Sequence, residues 1–463
     1  MKSNHEEYRG MRVTVMGLGR FGGGVGAARF LAENGATVTV TDLKSERELS
    51  ESVNSLQGLG INFVLGYHRM GDFTDANMVV VNPAVSRDSE YILKARKRGS
   101  ILRTEIGLFI EQCPAIVCGV TGSNGKTTTV SMLQSILSAS GKPHWIGGNI
   151  GGSLLSDLYH ISPDDIVVLE LSSFQLEWLN EISWSPHIAV VLNVMPNHLD
   201  RHGTFSRYLN IKGSILDHQK SSEKAILVRD DPGSRSLLDR ARGHVMWVGT
   251  NLTIPGITLN EGKIAEQKRR DIFPIMDISR ISVPGKHMVI NAMAASACAR
   301  IMGIDHKTIA DGIASFKGLP HRLELVGKCG GVTFYNDSKA TTPEAAAAAV
   351  DSFDNPVILI LGGSDKGVSF NEMAHRIAGR IRWAAVLGET AQAIAKALED
   401  AGIAYSLYNS FAEAFNACVT HAKEGDTVLL SPGCASYDMF ANYEERGDLF
   451  RNLVQECIKS NTK

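Results

Sequence analysis

"GVTGSNGKTTT", residues 119 to 129, decides how this chain is read. In front of it the apolar, β-branched run "AIVCGV" (115–120) has the make-up of a buried strand, and behind it Lys126 and three threonines open a helix. A glycine turn between strand and helix aims backbone N–H groups and the helix N-terminus at one spot, and that spot suits phosphate. In the manner of a Walker A loop, Lys126 can reach the outer phosphates and the Thr127 hydroxyl can ligate Mg²⁺. Gly122, Ser123, Asn124 and Gly125 would wrap the phosphates from one side and Thr128 would follow inside the helix. An ordinary Walker A loop has its first glycine five residues before the second. Here that position is Val120, and Gly119 lies six before Gly125, so the loop is one residue longer. A plain turn with a surface lysine is the alternative, but strand, glycines, Lys and Thr in unbroken order favour phosphate.

Outward from this loop, "DIVVLEL" (165–171) and "HIAVVLNV" (187–194) read as the next strands, and their ends deliver Glu170 and His198. In a parallel sheet these ends share one crevice. A carboxylate, an imidazole and a threonine hydroxyl gathered there can hold a metal beside a nucleoside triphosphate. Each alone has a blander reading, a loop histidine and a helix-entry acid, and proximity to the phosphate loop is what reverses it.

Nearer the start, "MRVTVMGLGRFGGGVGAARFLAENGATVTVTD" (11–42) reads as strand, glycine turn, helix and strand. Gly17, Gly19 and Gly22 satisfy G-x-G-x-x-G, with Arg20 and Phe21 inside the turn, and Asp42 lies 20 residues past Gly22. The physical content is a diphosphate on a helix N-terminus and a ribose near Asp42, which a UDP-linked substrate satisfies as well as a nicotinamide cofactor does.

Downstream, residues 250–286 are irregular in pattern, with Pro255, Pro274, Pro284 and the cluster "KRR" at 268–270, which reads as a solvated loop or hairpin. After the helix "HMVINAMAASACARIMG" and the segment "GLPHRLELV", strands and helices alternate again from "VTFYND" to "DTVLLSPG". The expectation is an α/β protein of three domains. Residues 1–113 form a Rossmann-like domain, 114–317 a P-loop-type mononucleotide-binding domain, and 318–463 a second Rossmann-like domain.

The 463 residues are 44 % hydrophobic and 21 % charged, which fits globular domains and excludes a disordered chain. A formal charge of −2 gives no general field for nucleic acid or an anionic membrane, so anions must be held by local design. The seven cysteines include no C-x-x-C pair, which argues against a zinc site or a disulfide framework. The start, "MKSNHEEYRG", lacks an apolar core, and no long uncharged apolar run follows. A cytoplasmic monomer without membrane insertion is expected.

Taken together, "GVTGSNGKTTT", "LELSSFQLE", "NVMPNHLDRH", "GLPHRLE", "NDSKATTPEA", "LGGSDKG" and "SPGCASYDMFANYEERG" resemble the Mur ligases, in order, from about residue 11 to 455. "LELSSFQLE" and "NDSKAT" are similar to the branch that adds D-glutamate. The resemblance implies an ATP-dependent, peptide-bond-forming ligase of peptidoglycan synthesis. Its domains would bind in turn UDP-N-acetylmuramoyl-L-alanine, ATP with Mg²⁺ (two ions), and D-glutamate. Residue by residue, it implies that Asn82 and Asn149 meet the UDP-substrate, with Asn197 and His198 near that substrate or the metal. Asn291, Arg322 and Asp337 would surround the nucleotide, and Lys212 would be carbamylated and join Thr127, Glu170 and His198 at the metal. Ser338, Thr341, Lys366, Ser436 and Tyr443 would form the D-glutamate pocket, and Lys126, His198 and Lys212 would be catalytic. A sister ligase adding another amino acid, an NAD-dependent oxidoreductase and a nucleotide-hydrolysing switch are the rivals. The last two leave whole domains without a role.

Overall fold

The computed structural model describes residues 8–18, 22–365 and 367–461. Gly19, Arg20, Phe21 and Lys366, expected at ligand sites, lie outside the described residues. Three sheets of five, nine and six strands are present among the described residues. By packing, the chain divides into one unit of Met1–Met276 with Ile290–Ile313 and another of Asp277–Val289 with Ala314–Lys463.

In the first unit, the N-terminal sheet is parallel, in the order Asn62–Leu65, Thr37–Asp42, Arg12–Met16, Met78–Val81, Ile101–Arg103. The strand order reverses beside Arg12–Met16, so Gly17 and Asn82 both emerge at the switch point, where open α/β sheets bind ligands.

The larger sheet of this unit runs Asp271–Asp277, Lys263–Lys268, Gly256–Asn260, His244–Thr250, Lys224–Val228, Ile188–Val191, Ile116–Thr121, Ile166–Glu170, His144–Gly148. Its seven strands from Gly256–Asn260 to His144–Gly148 are parallel. The strands Ile116–Thr121, Ile166–Glu170 and Ile188–Val191 adjoin, which brings the phosphate loop, Glu170 and the segment leading to His198 to one edge. Both faces of these strands are covered, so their side chains are almost uniformly buried, as parallel strands require. The irregular stretch after residue 250 proves to be three strands, and "KRR" falls at the turn joining the last two, with Arg269 in a left-handed conformation (φ 52°).

In the second unit the order is Glu324–Cys329, Val332–Asn336, Thr427–Leu430, Val357–Gly362, Ile381–Leu387, Tyr405–Leu407. Only the first pair is antiparallel. No helix among the described residues is long and apolar enough to cross a membrane.

Candidate active site

Gly122 (φ 158°) and Gly125 (φ 85°) bend the loop, and Gly125 is the left-handed N-cap of the helix Lys126–Ser140. A Cβ on Gly125 would sit 2.4 Å from Asn291 Oδ1, so the loop closes onto that side chain only because the position is glycine. Asn291 is buried and its Nδ2 has no partner, a donor left facing the loop. Asn193, which sequence reasoning passed over, clamps the loop from its other side. Its Oδ1 accepts from Asn124 N at 2.8 Å and its Nδ2 donates to Asn124 O at 3.1 Å. Ser123 Oγ lies 3.2 Å from the Tyr208 hydroxyl and accepts from Met195 N. Lys126 Nζ folds back to donate to Gly122 O at 3.0 Å and Ser123 O at 3.3 Å.

Thr127 Oγ1 donates to Glu170 Oε2 at 2.7 Å, and Asn149 Nδ2 donates to Glu170 Oε1 at 3.0 Å. Two expected residues therefore meet on the carboxylate of a third, itself 2 % exposed. No group of three or more His, Cys, Asp and Glu able to hold a metal occurs among the described residues. Hydroxyl and carboxylate oxygens nonetheless suit Mg²⁺, which keeps waters and phosphate oxygens as its other ligands. The donor set fits that ion.

Lys212 is 1 % exposed, on the helix Phe205–Gly213. Its Nζ donates to Thr121 Oγ1 at 3.1 Å, and Thr121 in turn donates to Leu171 O. Burial pushes the Lys212 ammonium well below the usual lysine range, the nearby Lys126 charge adds to this, and Glu170 opposes it. His198 is exposed and left-handed (φ 51°), a conformation costly for a residue with a Cβ, and its ring packs on Phe174 at 5.3 Å. Asn197 accepts from His198 N through Oδ1. Thr121, Tyr208 and Asn193 were missed because each acts through a partner many residues away.

At the N-terminal turn, Asp42 accepts from Leu18 N through one oxygen and from Lys44 N through the other, both at 2.9 Å. Gly22 is the left-handed N-cap of the helix Gly23–Glu33, and a Cβ on Gly24 would lie 2.4 Å from Gly17 O. Glu105 adjoins Gly23 and accepts from Ser153 Oγ, and burial raises its carboxyl to about 7.

In the second unit, Arg322 lies between His321 (φ 60°) and Leu323 (φ 42°), two strained positions. Asp337 accepts from Leu323 N and Ser431 Oγ, and burial raises its carboxyl to about 7. Ser338 Oγ donates to Tyr443 O at 2.8 Å, and Ser436 is buried. Thr341 is half-buried, and the Tyr443 ring has Lys339 Nζ over it at 5.6 Å while burial pushes its hydroxyl up to about 12.

The chain matches the family descriptions "Mur ligase MurD-like, N-terminal domain" over residues 11–103, "Mur ligase middle domain" over 120–299 and "Mur ligase, glutamate ligase domain" over 321–434. It is 40 % identical to the UDP-N-acetylmuramoylalanine–D-glutamate ligase of Roseiflexus sp. (strain RS-1), over 96 % of this chain and 98 % of that one. The enzyme of the same name from Caldanaerobacter subterraneus is 37 % identical over 97 % and 99 %. Among solved structures, the fold is shared with UDP-N-acetylmuramate-alanine ligase MurC of Thermotoga maritima (TM-score 0.60, 19 % identity, 96 % and 99 % coverage). It is shared also with the ADP complex of MurF ligase from Thermotoga maritima (TM-score 0.59, 19 % identity, 98 % and 100 % coverage). With three Mur ligase domains in order and relatives matched from end to end, the chain belongs to the Mur ligase family.

Proposed function

We propose that this chain is an ATP-dependent ligase that joins D-glutamate to UDP-N-acetylmuramoyl-L-alanine in peptidoglycan precursor synthesis. The observation that carries this reading is the convergence of Lys126, Thr127, Glu170 and Lys212 around one phosphate loop. It occurs in a chain 40 % identical, nearly end to end, to a D-glutamate ligase.

A carboxylate is a poor acyl donor. The alanyl carboxylate therefore attacks the γ-phosphorus, the bond to the bridging oxygen of ADP breaks, and an acyl phosphate results. The amine of D-glutamate then attacks the acyl carbon, loses a proton and expels phosphate. The protein's part is positioning and charge neutralisation. Lys126 exchanges its two loop carbonyls for phosphate oxygens, and the unpartnered Asn291 amide donates beside it. Thr127 and Glu170, with His198 and Lys212 as further ligands, would hold Mg²⁺, and the ion would supply positive charge to the anions being brought together. Asn149 fixes the rotamer of Glu170 by occupying its other oxygen.

Lys212 enters as a carbamate. Burial, and after it the Lys126 charge, disfavours its ammonium form, and the free amine attacks CO₂, forming an N–C bond and releasing one proton. A repelled cation so becomes a pair of oxygen donors. Gly17, Gly22, Asp42 and Asn82 hold the uridine end of the substrate. Arg322 and Asp337 serve the nucleotide, and Ser338, Thr341, Lys366, Ser436 and Tyr443 serve D-glutamate.

Phosphate release measured with UDP-N-acetylmuramoyl-L-alanine, ATP and a panel of amino acids tests the assignment. Turnover is expected with D-glutamate and not with L-glutamate, because inversion at the α-carbon misplaces the attacking amine. Turnover with a different amino acid alone would assign a sister reaction.

A further inference from the structure

Arg446 is 2 % exposed and among the largest fully buried side chains. It stands in the first turn of the helix Tyr443–Asn461, where the helix dipole already disfavours a cation. A guanidinium in such a place is normally paired with a carboxylate. Here every hydrogen bond it makes among the described residues goes to a neutral oxygen. Nε donates to Ser338 Oγ at 2.9 Å, and Nη2 donates to Ser338 O at 2.8 Å and Cys434 O at 3.1 Å. Nη1 reaches Ala435 O at 3.4 Å and Gly362 O at 3.5 Å. Burial lowers it to about 10, with Cys434 and Asp438 the titratable groups that face it.

Those acceptors have one thing in common. Ser338 follows the strand Val332–Asn336, Gly362 ends the strand Val357–Gly362, and Cys434 and Ala435 follow Thr427–Leu430. These three strands are adjacent and parallel, so a single planar fork ties together the loops at their C-terminal ends. Ligands of open α/β sheets bind at such ends.

We propose that Arg446 is the positioning residue of the amino-acid pocket: without touching the substrate, it fixes the three loops that carry Ser338, Ser436 and the segment after Gly362, and lends the pocket a positive charge for a dicarboxylate. This rests on the D-glutamate reading above. Hydrophobic burial would not retain a guanidinium that makes no carboxylate hydrogen bond among the described residues, whereas a planar fork with five donors can hold three loops in one register.

The test is Arg446→Met and Arg446→Lys, with KM measured separately for D-glutamate, ATP and the UDP-substrate. Arg446→Met is expected to raise KM for D-glutamate by about 10-fold or more, with the other two KM values within about 2-fold. Arg446→Lys should recover part of that loss at about pH 7 and lose it again as the pH rises and the buried ammonium deprotonates. Should Arg446→Met fail to fold, Arg446→Gln, which keeps an amide donor for part of the fork but no charge, should raise the same KM several-fold. Equal effects on all three KM values, unchanged KM for D-glutamate, or a lysine variant matching Met at every pH would overturn the proposal. Turnover of the unsubstituted enzyme with another amino acid would instead overturn the D-glutamate reading, and the same KM comparison would then be made with that amino acid.

Discussion

The first unit contains two strand–glycine–helix turns of nearly the same backbone. Gly22 caps its helix at φ 82°, ψ −17°, and Gly125 caps its own at φ 85°, ψ −9°. Their linings differ. Around Gly125 stand a lysine of the loop itself, a second buried lysine, and a threonine on a carboxylate. Around Gly22–Gly24 stand two carboxylates, Asp42 bound to backbone amides and Glu105 bound to Ser153. On the proposed reading the same turn serves chemistry in one place and grip in the other, and the side chains brought from elsewhere decide which.

The largest expected effect breaks the chemical half. Lys126→Ala should lower turnover by about 10²-fold or more with little change in melting temperature, since the side chain donates to carbonyls of its own loop and the helix behind it keeps its backbone hydrogen bonds. Steady-state phosphate release and a thermal melt together check it. Next, Lys212→Ala should lose about as much activity, with partial recovery when acetate or formate is added as an oxygen donor. No recovery, together with a bare ammonium in a metal-loaded structure, would refute the carbamate.

Smaller effects belong to the gripping turn. Gly24→Ala would drive a Cβ to 2.4 Å from Gly17 O and 2.5 Å from Leu18 O, so the turn must shift. KM for the UDP-substrate should rise about 10-fold while KM for ATP holds within about 2-fold, a split read from initial rates. The smallest effect concerns Glu105, whose carboxyl is raised by burial from 4.5 to about 7 in the folded chain. The folded chain holds this proton more tightly than the unfolded one, so the associated stability is complete below pH 4.5 and is lost as pH rises through about 7. Glu105→Gln should remove that decline, as thermal melts at about pH 5 and about pH 8 would record.

The turns were legible in the sequence because strand, glycines and helix are contiguous. Glu170 could be placed beside the phosphate loop because a parallel sheet gathers strand ends, whereas His198 sits exposed against Phe174 in the segment beyond its strand. Asn193, Tyr208 and Thr121 could not, since what matters is a partner brought close by the fold. The run Gly22–Gly24 was likewise opaque. At Gly24 the reason is the 2.4 Å approach of the preceding turn, which no local pattern encodes. Arg446 was hidden by type: in a sequence, an arginine in "NYEERG" at a helix start reads as solvated surface.

The outer strand Asp271–Asp277 of the nine-stranded sheet bears on how the protein behaves at high concentration. Ile272 and Phe273 are 44 % and 42 % exposed on it, an apolar border that could recruit another chain by strand addition. Pro274 stands directly after them and has no amide hydrogen to donate, so a docking strand would meet a missing rung at mid-length. Asp271 and the neighbouring Arg269 and Arg270 add charges at the same margin. The proline that disturbs the strand pattern in the sequence thereby limits the ladder this margin can offer a second strand, and its value lies in the contacts it would deny.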